Sequence, residues 1–139
     1  MHLNNRLHTE KAQKLLQKLK KKQLTLSTAE SCTGGLLSAL LTEIPGSSST
    51  FKGGICAYSH RAKTKILQVP QETLTQFGAV SEEVASSMAD NIRKILNTSI
   101  GVSITGIAGP GGQESNLPVG FIWYAISTPH NTFTYNLQL

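Results

Sequence analysis

Apolar residues recur along the chain with two different periods, which together predict alternating helices and strands. Ala12, Leu15, Leu16 and Leu19 follow the i, i+3, i+4, i+7 spacing of an amphipathic helix over about 8–22. Further helices are predicted over 36–44, 60–67, 70–78 and 81–97, and strands over 25–29, 54–59, 100–105, 119–127 and 132–137. Pattern alone therefore favours an α/β protein.

The order of these segments also predicts how the strands pair. Early strands are separated by helices, which is typical of parallel pairing, whereas the last two are joined only by the turn around Pro129 and Asn131. A length of 139 residues fits one compact unit. We therefore expect a single-domain, three-layer α/β/α sandwich with a mixed β-sheet spanning 1–139. Its ligand loops are expected at strand ends, in 30–35, 46–49 and 105–112.

Charge is concentrated in the first predicted helix. The chain carries a net +5, yet the segment before residue 23 alone carries +6. Clustered lysines can neutralise phosphates, so a nucleic-acid adaptor is one interpretation. No stacking aromatic residues accompany the lysines, and we interpret them as a solvated helix face without a nucleic-acid partner.

Cysteine, histidine and hydropathy patterns exclude several other classes. Two cysteines and four scattered histidines show no metal-ligand spacing, so we predict no metal site. There is no apolar run of about 20 residues and no secretory signal at the printed start. We expect a cytoplasmic protein with free thiols and no membrane partner.

The turn Glu30–Gly35 is the first candidate for chemistry. It separates a predicted strand from a helix, and Gly34 and Gly35 allow the backbone N–H groups to face an anion or a developing oxyanion. Ordinary helix capping is the alternative. Cys32 could act as a nucleophile at a helix start, but no histidine lies nearby in the sequence to activate it.

A second candidate combines one serine, one tyrosine and one lysine. Ser48 lies in a turn of three serines, and Tyr58 and Lys63 lie five residues apart at a strand-to-helix junction. A desolvated lysine can accept the proton of a serine, and a tyrosine can relay or orient it. The structural alternatives are a turn hydroxyl, a packed strand residue and a surface lysine.

The glycine-rich loop after the strand 100–105 is the third candidate. Thr105 is followed by four glycines before residue 113, which would let the backbone approach a ligand closely. A surface loop without a ligand is the alternative.

Three stretches of this chain resemble a known family. TAESCTGGLLSALLTEIPGSS (28–48), FGAVSEEVA (77–85) and SITGIAGPGG with PVGFIWYA (103–125) are similar to the C-terminal domain of the competence/damage-inducible protein CinA. This family includes nicotinamide-nucleotide amidases, also called NMN deamidases. The resemblance covers about residues 8–127.

The resemblance implies hydrolysis of the carboxamide of nicotinamide mononucleotide to nicotinic acid mononucleotide and ammonia by a homo-oligomer without a cofactor. It implies Ser48 as the nucleophile, Lys63 as the general base and Tyr58 as a relay or orienting group, with Ser31 as the alternative nucleophile. The substrate pocket would comprise Ser31, Thr33, Gly34, Gly35, Thr105, Gly106 and Gly109.

One departure from the family pattern qualifies these expectations. Family members usually continue past the last strand with an arginine-bearing segment and a terminal helix, which have no counterpart in the printed residues before Leu139. Without that helix, apolar sheet surface is expected to be exposed. The alternative function is a truncated, catalytically inactive homologue that binds the nucleotide.

Overall fold

The computed structural model describes residues 6–111 and 116–139, so Gly112 of the glycine-rich loop lies outside the described residues. The helices are α1 (Arg6–Lys21), α2 (Leu36–Thr42), α3 (His60–Lys65), α4 (Gln71–Phe77) and α5 (Glu82–Ile95). The strands are β1 (Leu26–Glu30), β2 (Phe51–Cys56), β3 (Ile100–Gly106), β4 (Phe121–Ser127) and β5 (Thr132–Gln138). A 3₁₀ turn, Ser47–Ser49, precedes β2.

The strands form one mixed sheet in the order β2-β1-β3-β4-β5. β1 pairs in parallel with both β2 and β3, whereas β4 pairs antiparallel with β3 and β5. The structure therefore confirms the predicted mixed sheet and its final hairpin. Because β1 and β2 are parallel neighbours, the segments that follow them emerge at the same edge of the sheet.

Helices cover the two faces of the parallel part of the sheet and create two separate cores. On one face, α1 and α2 bury Leu16, Leu41 and the strand residue Leu26. On the other face, α3, α4 and α5 enclose a core that includes Ala29 and Met88. The central strand β1 is buried along its whole length because it is covered from both sides.

The close approach of α5 to the sheet depends on Gly101 of β3. A Cβ atom at this position would overlap the carbonyl oxygen of Ala89 and would lie 2.7 Å from Cβ of Arg93. A side chain there would push α5 away from the strand. Glycine therefore allows the α5–β3 contact.

The start of β2 differs from the predicted strand. Its pairing with β1 is irregular, since Leu26 aligns with Phe51 but Ser27 aligns with Gly53, which leaves Lys52 as an extra residue in a bulge. The strand begins three residues earlier than predicted because Phe51 is buried in the core. It ends at Cys56, ahead of Ser59, whose hydroxyl caps α3 by accepting from the N–H of Ala62.

One face of the β4–β5 hairpin is apolar and partly exposed. Phe133, Tyr135 and Leu137 are 47%, 45% and 37% exposed, and they align with Ile126, Tyr124 and Ile122. In the described ranges, no helix packs closely on this face. This exposure agrees with the expectation, from the sequence, that apolar sheet surface is exposed.

None of the described helices is long and apolar enough to cross a bilayer.

Candidate functional site

A cavity of about 580 Å³ opens where the parallel strands end. Its wall combines the turn after β1, the segment from β2 into α3, the loop 78–80 and the loop after β3. This is the edge at which open α/β sheets place their ligands. Of the predicted site residues, Ser31, Tyr58, Lys63, Thr105, Gly106 and Gly109 line this cavity.

Ser31 and Lys63 are in direct contact at the cavity wall. The Nζ atom of Lys63 lies 2.8 Å from Oγ of Ser31 and 2.8 Å from the carbonyl oxygen of Ala57. Lys63 is only 2% exposed and Ser31 is 6% exposed. The amine is therefore held by two oxygen atoms in a largely desolvated position.

Burial lowers the pKa of Lys63 because the charged ammonium form is disfavoured away from water. The neighbouring thiols of Cys32 and Cys56 act in the opposite direction but do not outweigh burial. Among the described ion pairs, none joins Lys63 to a carboxylate. A larger fraction of Lys63 is therefore neutral than of an ordinary lysine, as a proton acceptor requires.

The turn that carries Ser31 is held by the buried side chain of Glu30. Its carboxylate accepts from Thr33 Oγ1 at 2.6 Å and from the N–H groups of Leu37 at 3.0 Å and Ser38 at 2.8 Å. Gly34 and Gly35 adopt left-handed conformations, with φ of 60° and 98°, that complete the turn. Thr33, Gly34 and Gly35 shape the turn but, among the described residues, do not line the cavity.

The predicted pairing of Ser48 with Lys63 is wrong. Ser48 lies in the 3₁₀ turn before β2, its side chain is exposed, and its carbonyl oxygen accepts from Lys52 Nζ. Lys63 follows β2, so the two residues lie at opposite ends of a strand that spans about 17 Å. The serine that meets Lys63 is Ser31, which was the alternative.

Tyr58 lies at the mouth of the cavity and is 72% exposed. None of the hydrogen bonds in the described residues joins its hydroxyl to Ser31 or Lys63. This geometry does not provide the predicted proton relay. The ring is instead available to lie against a bound molecule at the entrance.

Thr105 and Cys32 complete the inner wall. The hydroxyl of Thr105 donates to the carbonyl oxygen of Ala79 at 2.8 Å and so ties the end of β3 to the loop 78–80. Burial raises the pKa of the Cys32 thiol, although the N–H groups of Cys32 and Thr33 partly oppose this effect. A raised pKa keeps the thiol protonated and is the opposite of what a cysteine nucleophile needs.

Two contributors to the site were not predicted. Ala57 positions the amine through its backbone carbonyl, for which a side-chain pattern contains no signal. Glu30 was treated as part of a turn, whereas it caps α2 from seven and eight residues upstream. The absence of a side chain at Gly35, immediately before the helix, was the available signal that another residue must cap it.

The fold and the cavity define a class: a three-layer α/β domain with a Ser–Lys contact at the carboxyl edge of its parallel strands. The CinA C-terminal domain family matches residues 8–139, and the chain belongs to this family. It is 48% identical over 133 residues to a CinA-like protein of Amoebophilus asiaticus, covering 95% of this chain and 32% of that protein. The chain thus spans about a third of the length of such curated relatives.

Solved structures of the family show the same fold. Competence/damage inducible protein CihA from Agrobacterium tumefaciens has a TM-score of 0.90 at 39% identity, over 94% of this chain and 80% of that one. A competence-damaged protein (CinA) superfamily protein from Escherichia coli has a TM-score of 0.92 at 34% identity, over 95% and 77% of the respective chains.

Proposed function

We propose that this domain hydrolyses the carboxamide of nicotinamide mononucleotide to nicotinic acid mononucleotide and ammonia, with Ser31 as the nucleophile and Lys63 as the general base. The observation that carries the proposal is the 2.8 Å contact between Lys63 Nζ and Ser31 Oγ at the wall of the cavity. Membership of the CinA family supports the choice of substrate.

In the first half-reaction, the neutral amine of Lys63 takes the proton of Ser31 Oγ, and the oxygen attacks the carboxamide carbon. We assign the stabilisation of the oxyanion to the N–H groups of Cys32 and Thr33, which follow Ser31 directly in the chain. The ammonium of Lys63 then returns its proton to the leaving nitrogen. Ammonia departs, and the acyl group remains on Ser31.

In the second half-reaction, water attacks the acyl-Ser31 ester. Lys63, again neutral, accepts a proton from this water and later returns it to Ser31 Oγ. The products are the carboxylic acid and the free serine. The 2.8 Å hydrogen bond to the Ala57 carbonyl keeps the amine in place through both steps.

The described wall of the cavity contains no aspartate or glutamate side chain, and much of it is backbone from the loop after β3. The exposed ring of Tyr58 lies at the entrance, where it would contact the pyridine or ribose. We further propose, from the family resemblance, that the protein acts in the cytoplasm as a homo-oligomer.

The test compares wild type with Ser31→Ala and Ser48→Ala in an assay of ammonia and acid product. We expect Ser31→Ala to lower kcat by at least about 100-fold, because the nucleophile is lost. Ser48→Ala is the matched control and should retain near-normal kcat, since Ser48 lies at the opposite end of β2. The reverse pattern would overturn the assignment of Ser31.

Folded wild type that does not turn over the nucleotide would refute the amidase proposal. Calorimetric binding without turnover would instead favour the inactive nucleotide-binding homologue. Absence of both binding and turnover would exclude both functions.

A further inference from the structure

Glu30 is a buried acid that the reaction proposed above does not use. It is 1% exposed and lies immediately before Ser31. Its two carboxylate oxygens accept four hydrogen bonds, from Thr33 Oγ1, the Leu37 N–H, the Ser38 N–H and the Ser38 hydroxyl. A buried carboxylate is costly unless it is satisfied in this way, so its presence beside the nucleophile requires an explanation.

The backbone of Glu30 is linked to the other member of the pair. Its carbonyl oxygen accepts from the N–H of Ala57 at 2.8 Å. The carbonyl oxygen of Ala57 in turn accepts from Lys63 Nζ at 2.8 Å. Glu30 therefore contacts the turn of Ser31 through its side chain and the support of Lys63 through its main chain.

The carboxylate of Glu30 accepts its hydrogen bonds from the turn 31–35 and from the start of α2, and not from the amine of Lys63. Burial by itself would raise the pKa of Glu30, but the hydrogen bonds from Thr33, Ser38 and Leu37 together lower it. None of the described salt bridges joins Glu30 to Lys63. A carboxylate paired with Lys63 would keep the amine protonated and unable to act as a base. The structure thus holds an anion close to the nucleophile without creating that pair.

We propose that Glu30 is a positioning residue for the reaction: its carboxylate fixes the turn 31–35 on the start of α2, so that Ser31 Oγ stays in line with Lys63 Nζ. This role rests on the proposed function of Ser31. In this role, the side chain of Glu30 fixes the position of the nucleophile Ser31, and its negative charge does not act on the base Lys63.

The decisive variant is Glu30→Gln, which keeps the shape of the side chain. One amide oxygen can still accept from Thr33 and Leu37, but the NH₂ group faces the N–H of Ser38 and loses that bond. We expect kcat to fall about 10- to 100-fold with KM little changed, because misplacing a reacting group by ~1 Å costs of the order of 100-fold. The pH at which kcat/KM is half-maximal should stay at the wild-type value.

A second readout does not require turnover of the nucleotide. A small alkyl fluorophosphonate reacts with an activated serine, and intact-mass spectrometry measures the rate of labelling per folded molecule. We expect wild type to be labelled at Ser31, Ser31→Ala to be unlabelled, and Glu30→Gln to be labelled about 10- to 100-fold more slowly. If Glu30→Gln does not fold, Thr33→Val removes a single bond to the carboxylate and should slow labelling in the same direction.

Ser27→Ala is the matched control for a purely structural loss. It removes a buried hydroxyl from the other end of β1, where Ser27 Oγ lies 2.7 Å from Thr98 Oγ1. It should lower stability while leaving the labelling rate of the folded fraction unchanged.

The outcomes separate the two proposals. Labelling of Glu30→Gln at the wild-type rate, with wild type itself active, would overturn the role of Glu30 alone. A shifted pH midpoint would show that Glu30 acts on Lys63 electrostatically, which also contradicts the proposal. Wild type that neither reacts with the probe nor turns over the nucleotide would remove the proposed function, and the role of Glu30 with it.

Discussion

Replacing Lys63 by methionine removes the buried amine and keeps a side chain of similar length. The variant should lose about 100- to 10,000-fold in kcat, the range that general-base catalysis contributes. The free energy of unfolding of this variant tests the burial of the amine more directly than kcat does. Lys63→Met removes the cost of burying an ammonium group but also removes the hydrogen bonds to Ser31 and Ala57.

These two contributions have opposite signs. Leaving the Ala57 carbonyl without its partner costs about 1–3 kcal/mol. In the other direction, every difference of one between the pKa of Lys63 in the folded and unfolded chain is worth about 1.4 kcal/mol. We therefore expect Lys63→Met to lose less free energy of unfolding near pH 6 than the loss of the buried polar contact alone would cost.

The sign of the pH dependence follows from the direction of the shift. Because burial lowers the pKa of Lys63, the folded wild type binds fewer protons than the unfolded chain between the two pKa values. Wild-type stability relative to Lys63→Met should consequently rise with pH, and the rise is complete once the pH passes about 10.4, the pKa of an unperturbed lysine. Near pH 10 the wild type should be the more stable protein by about 1–3 kcal/mol.

Urea unfolding of both proteins at pH 6, 8 and 10 tests this reasoning. Lys65→Met, on the exposed side of α3, is the control and should show no comparable pH dependence. The reasoning is refuted if Lys63→Met is several kcal/mol less stable than wild type at pH 6 and the gap closes towards pH 10. That pattern would mean that Lys63 is charged and paired in the folded protein.

Two further substitutions test the base and the packing of the sheet. Lys63→Arg should lose at least about 100-fold in kcat, because a guanidinium group does not give up its proton at working pH, and retained activity would exclude Lys63 as the base. Gly101→Ala should lower the free energy of unfolding in urea by about 3 kcal/mol, because its Cβ would overlap the Ala89 carbonyl. Gly111→Ala, which has open space around its Cβ, should be neutral, and equal effects of the two would contradict the packing argument.

The architecture could be predicted because it depends on local patterns. The predicted helix over 81–97 is observed as α5, which Ser81 caps through the N–H of Val84 and which has the acidic residues Glu82 and Glu83 in its first turn, a local pattern that favours a helix start. Parallel and antiparallel pairing followed from the lengths of the connections. The bulge at Lys52 could not be predicted, because it depends on how Phe51 and Gly53 align with a partner strand distant in the sequence.

The error in the site has a simple physical origin. Ser48 and Lys63 were grouped on their residue types and on the family resemblance, but Ser48 precedes β2 and Lys63 follows it. Ser31 follows β1, and the carboxyl ends of neighbouring parallel strands lie at one edge of the sheet. Applying that rule to each residue would have selected Ser31. The contribution of the Ala57 carbonyl depends on backbone geometry that residue types do not reveal.

The bulge at Lys52 also sets the register of β2 at the other end of the strand, next to the candidate site. A one-residue slip between β1 and β2 would shift every downstream partner by about 3.3 Å and turn each side chain to the opposite face. Glu30 would then no longer align with Cys56, and the Ala57 carbonyl would leave the amine unsupported. The bulge accommodates Lys52 as an extra residue so that this slip does not occur, and the register that supports the proposed amidase site is therefore maintained from the opposite end of β2.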